Sequence, residues 1–293
     1  MIIEFFIQLA EICQQQLLQT VILSPGSRVA PLTLAFVRQP GIHTYTLSDE
    51  RSAAFTALGL QRQIMSQYPG SEAILPLVGL ACTSGSALYN YAPAVAEAYY
   101  QEIPLVLFTA DRPPEWVNQQ DNQTIQQREI YGKHVKGSFE TPVDLQHPDA
   151  LWSAHRMVNE AILLARRYPR GPVHINLPIR EPFYPQAEES YTTSSRPPII
   201  QELPSQAQLS KQTWNKLLDI WDESPNKLMV VGQYPLYPDL CRHLELLQKD
   251  FKIPIVADIM ANMHPIAGLI QQHDTFLLQS DDEFLESLRP DLL

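Results

Sequence analysis

The chain has 293 residues, 45% hydrophobic and 18% charged, with 32 acidic against 21 basic side chains and a net charge of −11. At about 150 residues per domain this length points to two domains, and a charged share below the usual value of about 25% excludes a disordered or coiled-coil chain. An acidic chain without a basic stripe also excludes a nucleic-acid binder and a ligand of anionic membrane surfaces.

Residues 2–18 place Phe5, Phe6, Leu9, Ile12, Cys13 and Leu17 at helical spacing. Glu4 and Glu11 and the lack of a positive leading segment argue against a signal peptide. No apolar run reaches the roughly 18 residues a membrane span requires. Cys13, Cys82 and Cys241 are widely spaced and form no CxxC pair, which predicts reduced thiols in a cytosolic protein.

Thr20–Leu23 reads as a buried strand ending in the turn Ser24-Pro25-Gly26-Ser27. A helix is expected over 29–38, a strand over 43–47 and an Ala-rich helix over 51–65. A strand over 73–78 precedes a helix opened by Thr83-Ser84-Gly85 and running to about Tyr100. Another strand spans 104–109, a polar stretch 118–128, a helix 148–167 and a strand 172–177. Strands alternating with helices predict an α/β fold with a doubly wound parallel sheet. The domain boundaries expected are 1–185 for this sheet, 186–206 for a proline-rich linker and 207–293 for an incomplete second Rossmann-like α/β domain, which stops in mid-pattern.

In open α/β sheets ligands bind beyond the carboxyl ends of the strands. Four polar clusters fall there: Ser24 to Arg28, Asp49-Glu50, Thr83-Ser84-Gly85, and Asp111-Arg112-Pro113. Glu50 is either a helix N-terminal charge favoured by the macrodipole or a buried carboxylate of raised pKa that donates a hydrogen bond to a ligand nitrogen. Arg28 and Arg112 either pair with nearby acids or grip a substrate carboxylate through the planar guanidinium fork. Thr83 and Ser84 read first as N-caps, at a helix start that also attracts anions. Asn122 and Gln123 lie in a polar loop, solvated or facing a substrate. His147 and His155 read as ordinary surface or core residues. No GxGxxG, Walker A, HExxH or GxSxG segment occurs.

Taken together, Ser24-Pro25-Gly26-Ser27-Arg28, Asp49-Glu50-Arg51, Thr83-Ser84-Gly85-Ser86-Ala87, Thr109-Ala110-Asp111-Arg112-Pro113-Pro114-Glu115 and Asn122-Gln123 resemble, in order, the 2-succinyl-5-enolpyruvyl-6-hydroxy-3-cyclohexene-1-carboxylate synthase family. Its members depend on thiamine diphosphate, and the likeness is strongest over residues 1–185, the pyrimidine-binding domain. The resemblance implies that Glu50 is catalytic and hydrogen-bonds N1′ of the aminopyrimidine, preparing the thiazolium for deprotonation. It places Glu50, Thr83, Ser84 and Gly85 against the cofactor, and Ser27, Arg28, Arg112, Asn122 and Gln123 against the substrates 2-oxoglutarate and isochorismate. It also implies Mg2+ or Mn2+, held with the diphosphate by a third domain through a Gly-Asp-Gly segment. No Gly-Asp-Gly occurs in the 293 residues. The expectation is therefore a chain inactive alone, working as a homo-oligomer or with a complementing C-terminal half, in the cytoplasm. The alternatives are the pyrimidine domain of another thiamine-diphosphate enzyme, such as an acetolactate-synthase-like decarboxylase, and a non-catalytic dimerising module.

Overall fold

The structure is a computed structural model that describes residues 2–68, 74–181, 193, 195–203, 208–234 and 237–293. Two compact units result, Met1–Met65 with Ala73–Glu202 and Ser66–Glu72 with Leu203–Leu293.

The first unit runs α1 (Ile2–Gln15), β1 (Leu18–Leu23), α2 (Ala30–Arg38), β2 (His43–Thr46), α3 (Glu50–Gln67), β3 (Leu77–Cys82), α4 (Ala92–Tyr100), β4 (Leu105–Asp111), β5 (Ser138–Glu140), α5 (Pro148–Arg166) and β6 (Val173–Pro178). Its six strands lie in the order β2-β1-β3-β4-β6-β5, and every pairing is parallel. β3, β4 and β6 are buried at every position, as strands covered on both faces must be, whereas the edge strand β2 is largely exposed.

Right-handed crossovers decide which helix covers which face. The chain leaves β1 outward to β2, then reverses across β1 to β3 and β4. Reversal moves the connecting helix to the opposite face. Accordingly α1, α2 and α5 pack one cluster around Phe5, Phe36, Phe108 and Ile175. α3 and α4 pack the other around Ala53, Ala57, Val95 and Leu107. Alternate strand residues feed the two clusters: Val21, Leu23 and Phe108 enter the first, Ile22, Leu80 and Leu107 the second.

The second unit contains α6 (Lys211–Glu223), β7 (Met229–Val231), α7 (Pro238–Phe251), β8 (Ile255–Ala257), α8 (His273–Leu277) and α9 (Asp282–Ser287). β7 and β8 pair in parallel over a small core that includes Cys241, Leu244, Ile255 and Met263. Ser210 caps α6 by accepting from Thr213 N at 3.1 Å. Trp214, Leu217, Leu218 and Ile220 of that helix are exposed.

The sheet matches the doubly wound expectation, with local corrections. β3 occupies 77–82 rather than 73–78; the glycine in its middle, Gly79, marks tight packing rather than a strand end, since a Cβ there would lie 3.3 Å from the Leu18 and Val21 side chains. The helix expected from Thr83 begins as a 3-10 helix over Gly85–Tyr91, and the α-helix starts only at Ala92, where Pro93 suits the first turn. β5 went unpredicted because three residues carry no readable period. Part of the expected linker, 186–206, lies outside the described residues. Its described portion is tied down: Gln16 Nε2 donates to Ile200 O at 2.7 Å, and Asn159 Nδ2 donates to Pro198 O at 3.1 Å.

On α3 the buried stripe Ala53, Ala54, Ala57, Leu58 continues to a glutamine, Gln61. Its amide donates to Pro76 O at 3.1 Å and accepts from Val78 N at 2.8 Å, fastening the helix to the start of β3. Gln61→Leu keeps the volume and leaves both backbone groups buried without partners. We expect a loss of about 2–4 kcal/mol in chemical denaturation; a change below about 0.5 kcal/mol would show that Gln61 does not fasten this strand.

Candidate functional site

The switch in winding direction lies between β1 and β3, and the crevice beyond their carboxyl ends is where an open α/β sheet receives a ligand. Ser24 leaves β1 with its N–H on Ala81 O at 2.8 Å, which holds the turn against the end of β3. Gly26 then presses on Thr83: a Cβ there would fall 2.5 Å from Thr83 Cβ. Thr83 is 6% exposed and Ser84 fully buried, yet Thr83 Oγ1 and Ser84 Oγ have no hydrogen-bond partner among the described residues. The capping expectation is overturned here. Ser84 stands at the N-cap but makes no side-chain cap bond.

Glu50 stands at the head of α3. Capping falls to its neighbour, since Asp49 Oδ1 accepts from Ser52 N at 2.6 Å. The Glu50 side chain makes no hydrogen bond or ion pair among the described residues, and the residue is half-buried. It sits close enough to the end of β3 for its charge to help raise the Cys82 thiol, which burial chiefly pushes up.

β4 ends in Asp111-Arg112. Asp111 Oδ1 accepts from Arg112 N at 2.7 Å and Oδ2 accepts from Asn176 Nδ2 at 2.9 Å. Arg112 Nε donates to Asp121 Oδ2 at 2.6 Å, and Nη2 donates to Asn122 O at 2.6 Å. Both members of the ambiguous arginine pair thus touch an acid, but differently. Arg28, 6% exposed, spends Nη1 on Ile179 O at 2.7 Å and lies 3.8 Å from Glu181. Burial and, after it, the charge of Arg112 lower the Arg28 guanidinium, so the two cations share one rim. Ser27 is exposed beside them, and Asn122 and Gln123 are exposed on the loop that Arg112 holds. Gly85, at φ +83°, abuts that loop, with a Cβ placed 3.0 Å from Gln123 O. Gly85 therefore carries no side chain for two reasons, its backbone conformation and its neighbour.

Under the rim lies a polar network that the sequence did not disclose. Gln127 accepts from Gly85 N at 2.9 Å and donates to Ala110 O at 3.1 Å and to Asn176 Oδ1 at 3.0 Å. Thr109 Oγ1 donates to Asn176 Oδ1 at 2.9 Å and lies 2.7 Å from His174 Nε2. Asn176 Nδ2 also reaches Glu140 at 3.0 Å. Burial pushes the Asp111 carboxyl up to about 6, against the pull of Asn176 and the Arg112 N–H. Burial holds the His174 imidazole down to about 3. A separate cavity of about 340 Å³, lined by Arg128, Glu140, Arg156 and Asn176 among others, does not include Glu50, Thr83 or Arg112.

Residues 4–130 match the family described as thiamine pyrophosphate enzyme, N-terminal TPP binding domain. A curated relative from Cytophaga hutchinsonii, a 2-succinyl-5-enolpyruvyl-6-hydroxy-3-cyclohexene-1-carboxylate synthase, is 44% identical over 283 residues, covering 97% of this chain and 48% of the relative. A Porphyromonas gingivalis protein of the same name is 36% identical over 97% of this chain and 47% of its own length. The chain is similar to these synthases over nearly its whole length. It spans about half the length of the curated relatives it matches. Among solved structures, a Rhodococcus jostii RHA1 thiamine diphosphate-dependent 4-hydroxybenzoylformate decarboxylase superposes with a TM-score of 0.63 at 17% identity, covering 87% of this chain and 44% of that one; the likeness is one of fold.

The residues present suit one face of the family's cofactor. The two buried hydroxyls without partners and an acid released from capping are what a polar heterocycle needs to meet. They do not suit its metal: among the described residues no group of three His, Cys, Asp or Glu side chains converges. Nor, among the described residues, is any helix long and apolar enough to cross a membrane. Cys13, Cys82 and Cys241 are all free and buried.

The network makes a pH prediction. The His174 imidazole titrates near 6.5 when unfolded and near 3 in the fold. Its contribution is complete above about pH 6.5 and is lost as pH falls toward 3, because the unfolded chain takes up a proton that the fold refuses. Asp111 works in the opposite sense below about pH 6, so the difference against a variant is the informative quantity. The stability gap between the unsubstituted chain and His174→Gln should narrow by about 1–3 kcal/mol between pH 6.5 and 4.5. A gap independent of pH would mean that His174 is not held neutral.

Proposed function

We propose that this chain supplies the aminopyrimidine-facing wall of a thiamine-diphosphate-dependent synthase that decarboxylates 2-oxoglutarate and joins the remainder to isochorismate. The observation that carries the reading is the pair of buried hydroxyls, Thr83 Oγ1 and Ser84 Oγ, lacking partners at the switch point beside Glu50. Thiamine diphosphate, when bound, supplies the nucleophilic carbon and the electron sink for decarboxylation.

The chain's own residues then have separable tasks. Glu50 shares a proton with a ring nitrogen, a role that geometry permits because Asp49 has taken over the cap. Thr83 and Ser84 offer hydroxyls to the same face, and Gly85 lets the loop of Asn122 and Gln123 close upon it. Arg28 and Arg112 place positive charge where two polyanionic substrates must sit, against the repulsion of a chain whose net charge is −11. Two adjacent guanidiniums favour substrates with several carboxylates over a single-carboxylate acid of the pyruvate type. The diphosphate and its Mg2+ or Mn2+ are assigned to a complementing C-terminal half, which a separate polypeptide brings. The absence of Gly-Asp-Gly from the 293 residues supports that division.

The test follows the loss of isochorismate in the presence of 2-oxoglutarate, thiamine diphosphate and Mg2+. The chain alone should show no turnover. Mixed with the remaining half of the Cytophaga hutchinsonii relative it should turn over, and Glu50→Gln should lower that rate by a factor on the order of 10². Turnover by the chain alone, or indifference to Glu50→Gln in the active mixture, refutes the reading.

A further inference from the structure

Arg112 is held by one carboxylate that also organises its neighbours. Asp121 Oδ2 accepts from Arg112 Nε at 2.6 Å, while Oδ1 accepts from Asn122 N at 2.9 Å. Arg112 Nη2 closes the ring by donating to Asn122 O at 2.6 Å. The arginine side chain is 12% exposed and the aspartate 34%. To turn Asp121 back onto Arg112 the loop passes through left-handed backbone at Asn118 (φ 65°) and Gln120 (φ 60°), neither a glycine. Such conformations cost energy and persist where the surroundings enforce them.

We infer that Asp121 is the positioning residue for Arg112, fixing the guanidinium so that its end edge, Nη1 with the second proton of Nη2, meets a substrate carboxylate. The inference rests on the reading of Arg112 given above. A guanidinium can grip a carboxylate through its side edge, Nε with Nη2, or through its end edge. Asp121 and Asn122 O already fill the side edge. An incoming carboxylate therefore meets the end edge, and its direction of approach is set before it arrives. Asp121 has a second effect: its charge opposes that of Arg112 at Arg28, so it lets two cations share the rim. Through Asn122 the same carboxylate anchors the Asn122-Gln123 segment, so cation and amides move as one body.

The opposite role would use the same contacts. Asp121 could act as a competitor, occupying Arg112 until a substrate displaces it. The two roles differ in sign. A positioning residue, once removed, weakens binding; a competitor, once removed, strengthens it.

The experiment titrates the 293-residue chain with 2-oxoglutarate, by calorimetry, in unsubstituted form and as Arg112→Ala, Asp121→Ala, Asp121→Asn and the Arg112→Ala/Asp121→Ala double variant. Nuclear magnetic resonance of the Arg112 Nε–H group, identified by its loss in Arg112→Ala, follows the anchor directly. We expect Arg112→Ala and Asp121→Ala each to weaken binding by about tenfold or more, and the double variant to bind no more weakly than Arg112→Ala. Asp121→Asn should stay within about threefold, because its amide oxygen still accepts from Nε. The Nε–H signal should stand downfield in the unsubstituted chain and Asp121→Asn, and collapse toward the free-arginine position in Asp121→Ala. Asp121→Ser makes the same comparison where alanine disturbs the loop. Binding unchanged or tightened in Asp121→Ala, or an Nε–H signal indifferent to it, overturns the inference. Binding indifferent to Arg112→Ala, or no binding by the unsubstituted chain, overturns instead the functional reading of Arg112, and the Nε–H signal then decides the anchoring by itself.

Discussion

Everything at the candidate site depends on the strands being parallel. Antiparallel strands would send alternate turns to opposite ends of the sheet. Here β1, β3, β4 and β6 deliver their carboxyl ends to one rim. The reversal of winding between β1 and β3 then opens a crevice at one place on that rim. Two glycines adjust its width. Gly26 lets the β1 turn settle on Thr83, and Gly85 lets the loop of Gln123 come down beside it. A methyl group at Gly26 would sit 2.5 Å from Thr83 Cβ, so the crevice is closed as far as backbone and side chain allow.

The second constraint is electrostatic. The chain concentrates two guanidiniums on a rim and must keep them from driving each other away. It does so with unequal partners. Arg28 is anchored by a neutral carbonyl, Ile179 O, with Glu181 at the margin of an ion pair, 3.8 Å away. Arg112 is anchored by a full charge at 2.6 Å. Asp111 lies beneath as a buried carboxyl pushed up to about 6 by burial. The Thr109, Gln127 and Asn176 amides and hydroxyl satisfy one another beneath the rim and fix the depth of its floor. Buried polar groups satisfied in this way rigidify a site.

Much of the fold was legible because its signals are local. Alternating strands and helices, capped by Ser24-Pro25-Gly26, Asp49-Glu50, Thr83-Ser84-Gly85 and Asp111-Arg112, require no knowledge of partners to be read. Misreadings occurred where a residue's meaning depends on distant packing. The strand expected to stop at 78 runs on through Gly79, which packs against Leu18 and Val21. Thr83 and Ser84 looked like caps, since their residue type is the usual one, yet their hydroxyls cap nothing. Gln127 was indistinguishable from the surrounding Gln and Asn of a polar stretch; its role comes from Gly85 and Asn176, 42 and 49 residues away. Gln61 was likewise invisible on a helix whose other buried positions are apolar. No spacing in the sequence links such pairs, because the sheet order that brings them together is a property of the whole unit.

Glu50 bears on the completeness of the site. An acid that shares a proton with a ring nitrogen gains from a dry setting, since burial favours its neutral form. On this chain Glu50 is only half-buried, beside the edge strand β2, and no described residue hydrogen-bonds its side chain. The residues that would exclude water from it are not its own neighbours in the sheet. Under the proposed reading, water is excluded by the cofactor itself and by the polypeptide that holds the diphosphate. The same logic reaches Thr83 and Ser84, which are already buried and lack only partners. The wall is therefore finished where its own strands meet, at β1 and β3, and unfinished where the sheet ends. That gradient, from a closed crevice to an open edge, fits a surface built to be covered from the Glu50 side.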